Sequence, residues 1–123
     1  MRALPFVEAY NCAVAAVESQ MLELGTQAPP FALPDPDGVI HELTPGANAY
    51  VVMFICNHCP FVIHVREELA RFGNDYGDKG VQIVAINSNN VDAYPADSPA
   101  NMKKTAAEWG LNFPYVFDED QSV

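Results

Sequence analysis

The stretch Tyr50-Val-Val-Met-Phe-Ile-Cys-Asn-His-Cys-Pro-Phe-Val62 (YVVMFICNHCPFV) decides the fold. Residues 50–55 are apolar on both faces of an extended chain, which reads as a central buried strand of a parallel or mixed sheet. The run ends in a cysteine pair, Cys56 and Cys59, separated only by Asn57 and His58. From Pro60 the pattern becomes helical. Phe61, Val65, Leu69, Phe72 and Tyr76 fall on one side, Arg66, Glu67, Glu68 and Arg71 toward the other, and Gly77 and Gly80 close the segment.

A strand, a CxxC pair and then a helix put Cys56 at the carboxyl end of the strand and Cys59 in the first helical turn. Cys56 then faces the free N–H groups of that turn and the positive end of the helix dipole. Thiolate is the reactive form of cysteine, and this placement is expected to lower the thiol pKa. Two intervening residues let the second sulfur reach the first, so a mixed disulfide on Cys56 can be resolved by Cys59. Pro60 suits the start of a helix, where its missing N–H matters little. His58 lies inside the pair. Carrying a positive charge, it would stabilise the Cys56 thiolate and shift the couple in the oxidising direction.

Working outward, the segment Phe31 to Leu43 reads as a β-hairpin. Phe31 and Leu33 alternate, Asp35-Pro36-Asp37-Gly38 supplies the turn, and Val39 to Leu43 is extended again. Upstream, Tyr10, Val14, Val17, Met21 and Leu24 form one helical stripe ending near Gly25, with Cys12 nearly opposite it. Downstream, Val81 to Ile86 reads as a second buried strand running into the polar tract Asn87-Ser88-Asn89-Asn90. That tract is either plain loop or the rim of an active site. Ser98 is a helix N-cap with Pro99 at the first helical position, the helix runs to about Trp109 and stops at Gly110, and Phe113 to Phe117 forms a third strand. Strands alternating with helices predict an α/β fold around a parallel sheet.

Composition bounds the function. The chain has 123 residues, enough for one domain with a core of moderate size. Its formal charge is −10, from 6 basic and 16 acidic residues, with no basic cluster. Nucleic acid and anionic membrane are therefore poor partners. No apolar run approaches the roughly 18 residues of a membrane span. The N-terminus has one basic residue, Arg2, and its apolar part is interrupted by Glu8 and Asn11, so it reads as mature sequence rather than an export signal. Three cysteines are too few for a disulfide scaffold. A close pair without an export signal points to redox chemistry or metal in the cytoplasm.

Taken together, GTQAPPFALPDPDGVIHEL (25–43), VVMFICNHCPFV (51–62), VQIVAINSNNVDAYPADSPANM (81–102) and FPYVFDED (113–120) resemble the thioredoxin-like redoxins, within them the group related to alkyl hydroperoxide reductase and thiol-specific antioxidant proteins. The resemblance covers roughly residues 18–123 and leaves 1–17 as an N-terminal extension, helical toward its end. It implies a thioredoxin fold, Cys56 as nucleophile and Cys59 as resolving thiol; by their place within and just after the pair, His58, Asn57 and Pro60 are expected to modulate it. The cofactor would be the Cys56–Cys59 disulfide itself, and the partners protein or small-molecule thiols and disulfides.

The sequence also departs from that pattern. Ile55 stands where thioredoxins carry Trp, and Tyr50 stands where they carry a buried Asp that serves proton transfer. The family fold continues with a helix, a cis-proline loop, a hairpin and a last helix, none of which is present here. The expectation is therefore a C-terminally incomplete domain. Its strand Tyr50 to Ile55 would have one unpaired edge, through which copies of the chain could associate. Two other functions compete. A peroxiredoxin-like peroxidase would use Cys59, but its PxxxTxxC pattern meets Val52 and Cys56 at the Pro and Thr positions. A closed metal site on the CxxC would have to recruit His58 and His64 or a second subunit.

Overall fold

The computed structural model describes residues 18–123. In chain order these form β1 (Ala32–Pro34), β2 (Ile40–Glu42), β3 (Ala49–Phe54), α1 (Pro60–Tyr76), β4 (Val81–Asn87), α2 (Pro99–Trp109) and β5 (Tyr115–Phe117). A short 3-10 turn follows α1 at Gly77–Lys79, and another precedes α2 at Pro95–Asp97.

β1 and β2 make the expected antiparallel hairpin, with Leu33 opposite His41. Asp35 organises its turn: Oδ1 accepts the N–H groups of Asp37 and Val39 at 2.9 and 3.0 Å, and Gly38 takes the left-handed φ of 85° that closes it. The larger sheet is parallel in the order β3-β4-β5, with Val52 beside Val84, Phe54 beside Ile86 and Ile86 beside Val116. The central strand is therefore β4, which is buried from Ile83 through Asn87. β3 is an edge strand among the described residues.

Two apolar clusters sandwich the sheet. The hairpin residues Phe31 and Leu33 pack with Val84, Ile86 and Val116. Met102 of α2 packs with Ala85, Tyr115 and Phe117, and Met53 and Ile55 join from the β3 side. The hairpin covers β4 and β5 but not β3. Tyr50, Val52 and Phe54, which share one face by strand alternation, consequently stay open, and Phe54 is 59% exposed.

Helix α2 has the boundaries read from sequence. The Ser98 side chain accepts the Asn101 N–H at 3.3 Å, and Gly110 ends the helix with a left-handed φ of 68°. Two other expectations change. Residues 18–24 contain no helix, and Met21 and Leu24 are 86% and 101% exposed. An apolar stripe stabilises a helix only against a partner, and these side chains meet none among the described residues. The remainder of that stripe, with Cys12, lies outside the described residues. In α1 the inward face is also not the one expected. Phe61, Val65 and Tyr76 are exposed, whereas Leu69 and Phe72 are half-buried and Gly73 is buried. Gly73 fixes this rotation: a Cβ there would stand 2.1 Å from Asn112 Oδ1 and 2.8 Å from Phe113 Cδ1. The helix approaches its neighbour where a side chain is lacking, so large apolar residues alone misplace its buried face.

Candidate active site

The cysteines lie where strand β3 hands over to helix α1. The Ile55 N–H donates to Ile86 O at 3.0 Å, carrying the parallel pairing one residue past β3 and holding Cys56 at the strand end. Cys59 is the N-cap residue of α1 and Pro60 its first residue, one step later than the expected position of Cys59 inside the first turn. Both cysteines are free thiols and half-buried. They line an open pocket of about 460 Å³ together with Phe54, His58, Phe61 and Asn89. Ser88 and Asn89 thus make the polar tract after β4 a wall of this pocket rather than a remote loop.

Asn57 ties the loop between the cysteines to the rest of the fold. Its Nδ2 donates to Ala96 O at 2.9 Å, and its Oδ1 accepts the Tyr115 hydroxyl at 2.9 Å. Its backbone N–H donates to Asp97 Oδ1 at 2.8 Å. His58 stacks on Tyr94, with ring centroids 5.1 Å apart, and its Nδ1 lies 2.7 Å from Asp97 Oδ2. The ring N–H is off the direction of a linear hydrogen bond, so this contact is an ion pair when His58 is protonated. Asp97 is wholly buried and also accepts from Asn89 Nδ2 at 2.7 Å.

Asp97 was not legible as a site residue. Its signal was its place in the Tyr94-Pro-Ala-Asp-Ser-Pro99 run, which resembles the family without declaring a role. Tyr94 and Tyr115 were hidden in the same way. Conversely, the structure does not bring His64 to the cysteines. It is exposed on α1, lining a separate depression with Pro60 and Glu67.

The electrostatics of Cys56 also depart from expectation. The backbone N–H groups of Cys59 and His58 do favour its thiolate, as helix-start geometry requires. Burial and then the Asp97 charge outweigh them, and the thiol is pushed up from its ordinary value. Burial, followed by the charges of Asp97 and Cys56, pushes the Tyr115 phenol far up, so it stays a neutral donor.

The sulfur of Cys56, a His58 nitrogen and an Asp97 oxygen lie within 4.8 Å of one another. That donor set could in principle take a metal. The 2.7 Å between His58 and Asp97 is, however, closer than the about 3.3 Å that two ligands on a tetrahedral zinc require. The arrangement as built suits proton and charge control beside a thiol.

A three-stranded parallel sheet with a CxxC at the first strand–helix junction defines a thioredoxin-like domain, and distant solved thioredoxin-like proteins share this fold. Residues 24–123 match the AhpC/TSA family model, and the chain belongs to the AhpC/TSA family. An uncharacterized conserved protein of Geobacillus kaustophilus is 58% identical, with a TM-score of 0.82 over 87% of this chain and 58% of that one. A hypothetical protein of Sinorhizobium meliloti is 41% identical, with a TM-score of 0.81 over 84% of this chain and 57% of that one. The thiol-disulfide oxidoreductase ResA of Geobacillus thermodenitrificans is 29% identical over 110 residues, 86% of this chain and 58% of that protein. The chain thus spans less than two thirds of the length of these relatives.

Proposed function

We propose that this chain carries a thiol–disulfide oxidoreductase centre with Cys56 as nucleophile and Cys59 as resolving thiol. The observation that carries the proposal is the presence of two free thiols, one at a strand end and one at a helix N-cap, lining one open pocket. The Cys56 thiolate attacks a substrate disulfide, forms a mixed disulfide and expels one substrate thiolate, which takes up a proton. Cys59 then loses its proton, attacks the Cys56 sulfur and releases the second substrate thiol. Two electrons pass to the substrate and the protein is left with the Cys56–Cys59 disulfide. No dissociable cofactor is needed. Asn57 and Pro60 hold the loop and the helix start, and His58 modulates the pair.

Protein or small-molecule thiols and disulfides are the partners in this reading, in a cytoplasmic setting. The charge of −10 disfavours nucleic acid and anionic membranes. No helix among the described residues is long and apolar enough to cross a membrane.

Replacing each cysteine tests the assignment. Cys56→Ser is expected to abolish disulfide reduction, and Cys59→Ser to accumulate a mixed disulfide on Cys56. Undiminished reduction by Cys56→Ser would reverse the roles. Peroxide consumption that needs Cys59 but not Cys56 would move the reading to a peroxidase.

A further inference from the structure

Asp97 is a buried charge to which the exchange steps above assign no task. It ends the 3-10 turn before α2 and reaches the cysteines only through the fold. Its contacts have a pattern. Asn57 and His58 are the two residues between the cysteines, and both meet Asp97: the Asn57 N–H donates to Oδ1 at 2.8 Å, and His58 Nδ1 lies 2.7 Å from Oδ2 without a hydrogen bond. Asn89 Nδ2, also in the pocket wall, adds a bond at 2.7 Å. These groups could otherwise favour a negative charge on Cys56. The carboxylate itself lies within 4.8 Å of Cys56 and is screened from water.

We propose that Asp97 sets the redox poise of the Cys56–Cys59 pair. It holds the inter-cysteine loop through Asn57 and His58, and with its own charge it withholds thiolate stabilisation from Cys56. A stabilised thiolate favours the reduced form and makes a couple oxidising; withholding it makes the couple reducing. This rests on the oxidoreductase reading and adds to it a positioning residue and a direction of electron flow. The titratable groups around Cys56 are His58 and Cys59 on its own loop and helix start, Asp97 on the turn after β4, and Tyr115 on β5. Tyr115 stays protonated and adds no charge. The larger charge acting on Cys56 is therefore that of Asp97, ahead of Cys59.

Asp97→Asn keeps the shape and one acceptor for the Asn57 N–H while removing the charge. The Cys56 thiolate, followed by its ultraviolet absorbance, is expected to appear about one pH unit lower, a tenfold change. In glutathione buffers held at a pH above both thiolate midpoints the dithiol fraction is expected to rise correspondingly, by about tenfold in the equilibrium constant or ~30 mV. Asn89→Ala removes the amide that bonds Asp97 Oδ2, leaves the carboxylate charge less compensated, and is expected to shift the thiolate midpoint the opposite way. Asn89 is partly exposed, so this variant supplies the sign even where Asp97→Asn fails to fold. A purely structural Asp97 would lower the melting temperature and leave the midpoint unchanged. That result overturns the proposal, as does a shift of both variants in the same direction. The thiolate titration needs no disulfide. A chain that never forms Cys56–Cys59 would sink the oxidoreductase reading while the role of Asp97 in the thiol titration is still read directly.

Discussion

At Cys56 two influences oppose each other, and the larger one was invisible in the sequence. Spacing alone exposed the amides of the helix start that favour thiolate. Burial and the Asp97 carboxylate, which outweigh them, depend on a loop some forty residues away that only the fold brings in. The neutral thiol is therefore the resting form. Alkylation of Cys56 is expected to keep accelerating as pH rises beyond the range of an ordinary thiol. A rate already at its plateau between about pH 6 and 8 would contradict this. The cysteines, His58, Asn57 and Pro60 were all legible, because the CxxC spacing marks its own members. The acid beside them was not. Tyr50, at the position expected to hold a buried acid, instead lies on the open face and donates its hydroxyl to Thr44 O at 2.7 Å. The carboxylate that reaches the cysteines comes from the Pro95–Asp97 turn.

Among elements, α2 and the hairpin were read correctly from their own end signals, whereas Gly25 ends no helix in the described residues. Ser98, Pro99 and Gly110 delimit α2, and Asp35 to Gly38 delimits the hairpin, because capping and turn chemistry are local. Ser98→Ala is expected to lower stability by about 1 kcal/mol, measurable by chemical denaturation, through loss of the bond from the Asn101 N–H. The buried face of α1 was not local information, since it is set by Gly73 against Asn112 and Phe113. Gly73→Ala puts this to the test. The gain in helix propensity is about 1 kcal/mol, whereas overpacking costs about 1–3 kcal/mol. Asn112 can swing away, but the Phe113 ring is held in the α2-side cluster, so net destabilisation is expected. A higher melting temperature would show that the ring yields freely.

For the whole molecule, the sequence predicted the unpaired edge of β3, and the sheet order bears this out among the described residues. Tyr50, Val52 and Phe54 present apolar surface beside unpaired backbone groups, the combination that favours pairing with another chain. We therefore propose a second copy of this chain as the partner at that edge. Light scattering is expected to show a mass that rises with concentration, and Val52→Lys to return it toward the monomer. A clean monomer with a cooperative melt at all concentrations would remove this proposal.

The central claim, that Cys56 and Cys59 form one redox couple, is tested most directly by equilibrating the chain in a series of glutathione buffers. Free thiols are then alkylated and mapped by mass spectrometry. The expected result is a single two-electron transition in which both cysteines lose their alkylation together and one Cys56–Cys59 disulfide appears. Cysteines that titrate independently, or stay free across the whole series, would contradict the account.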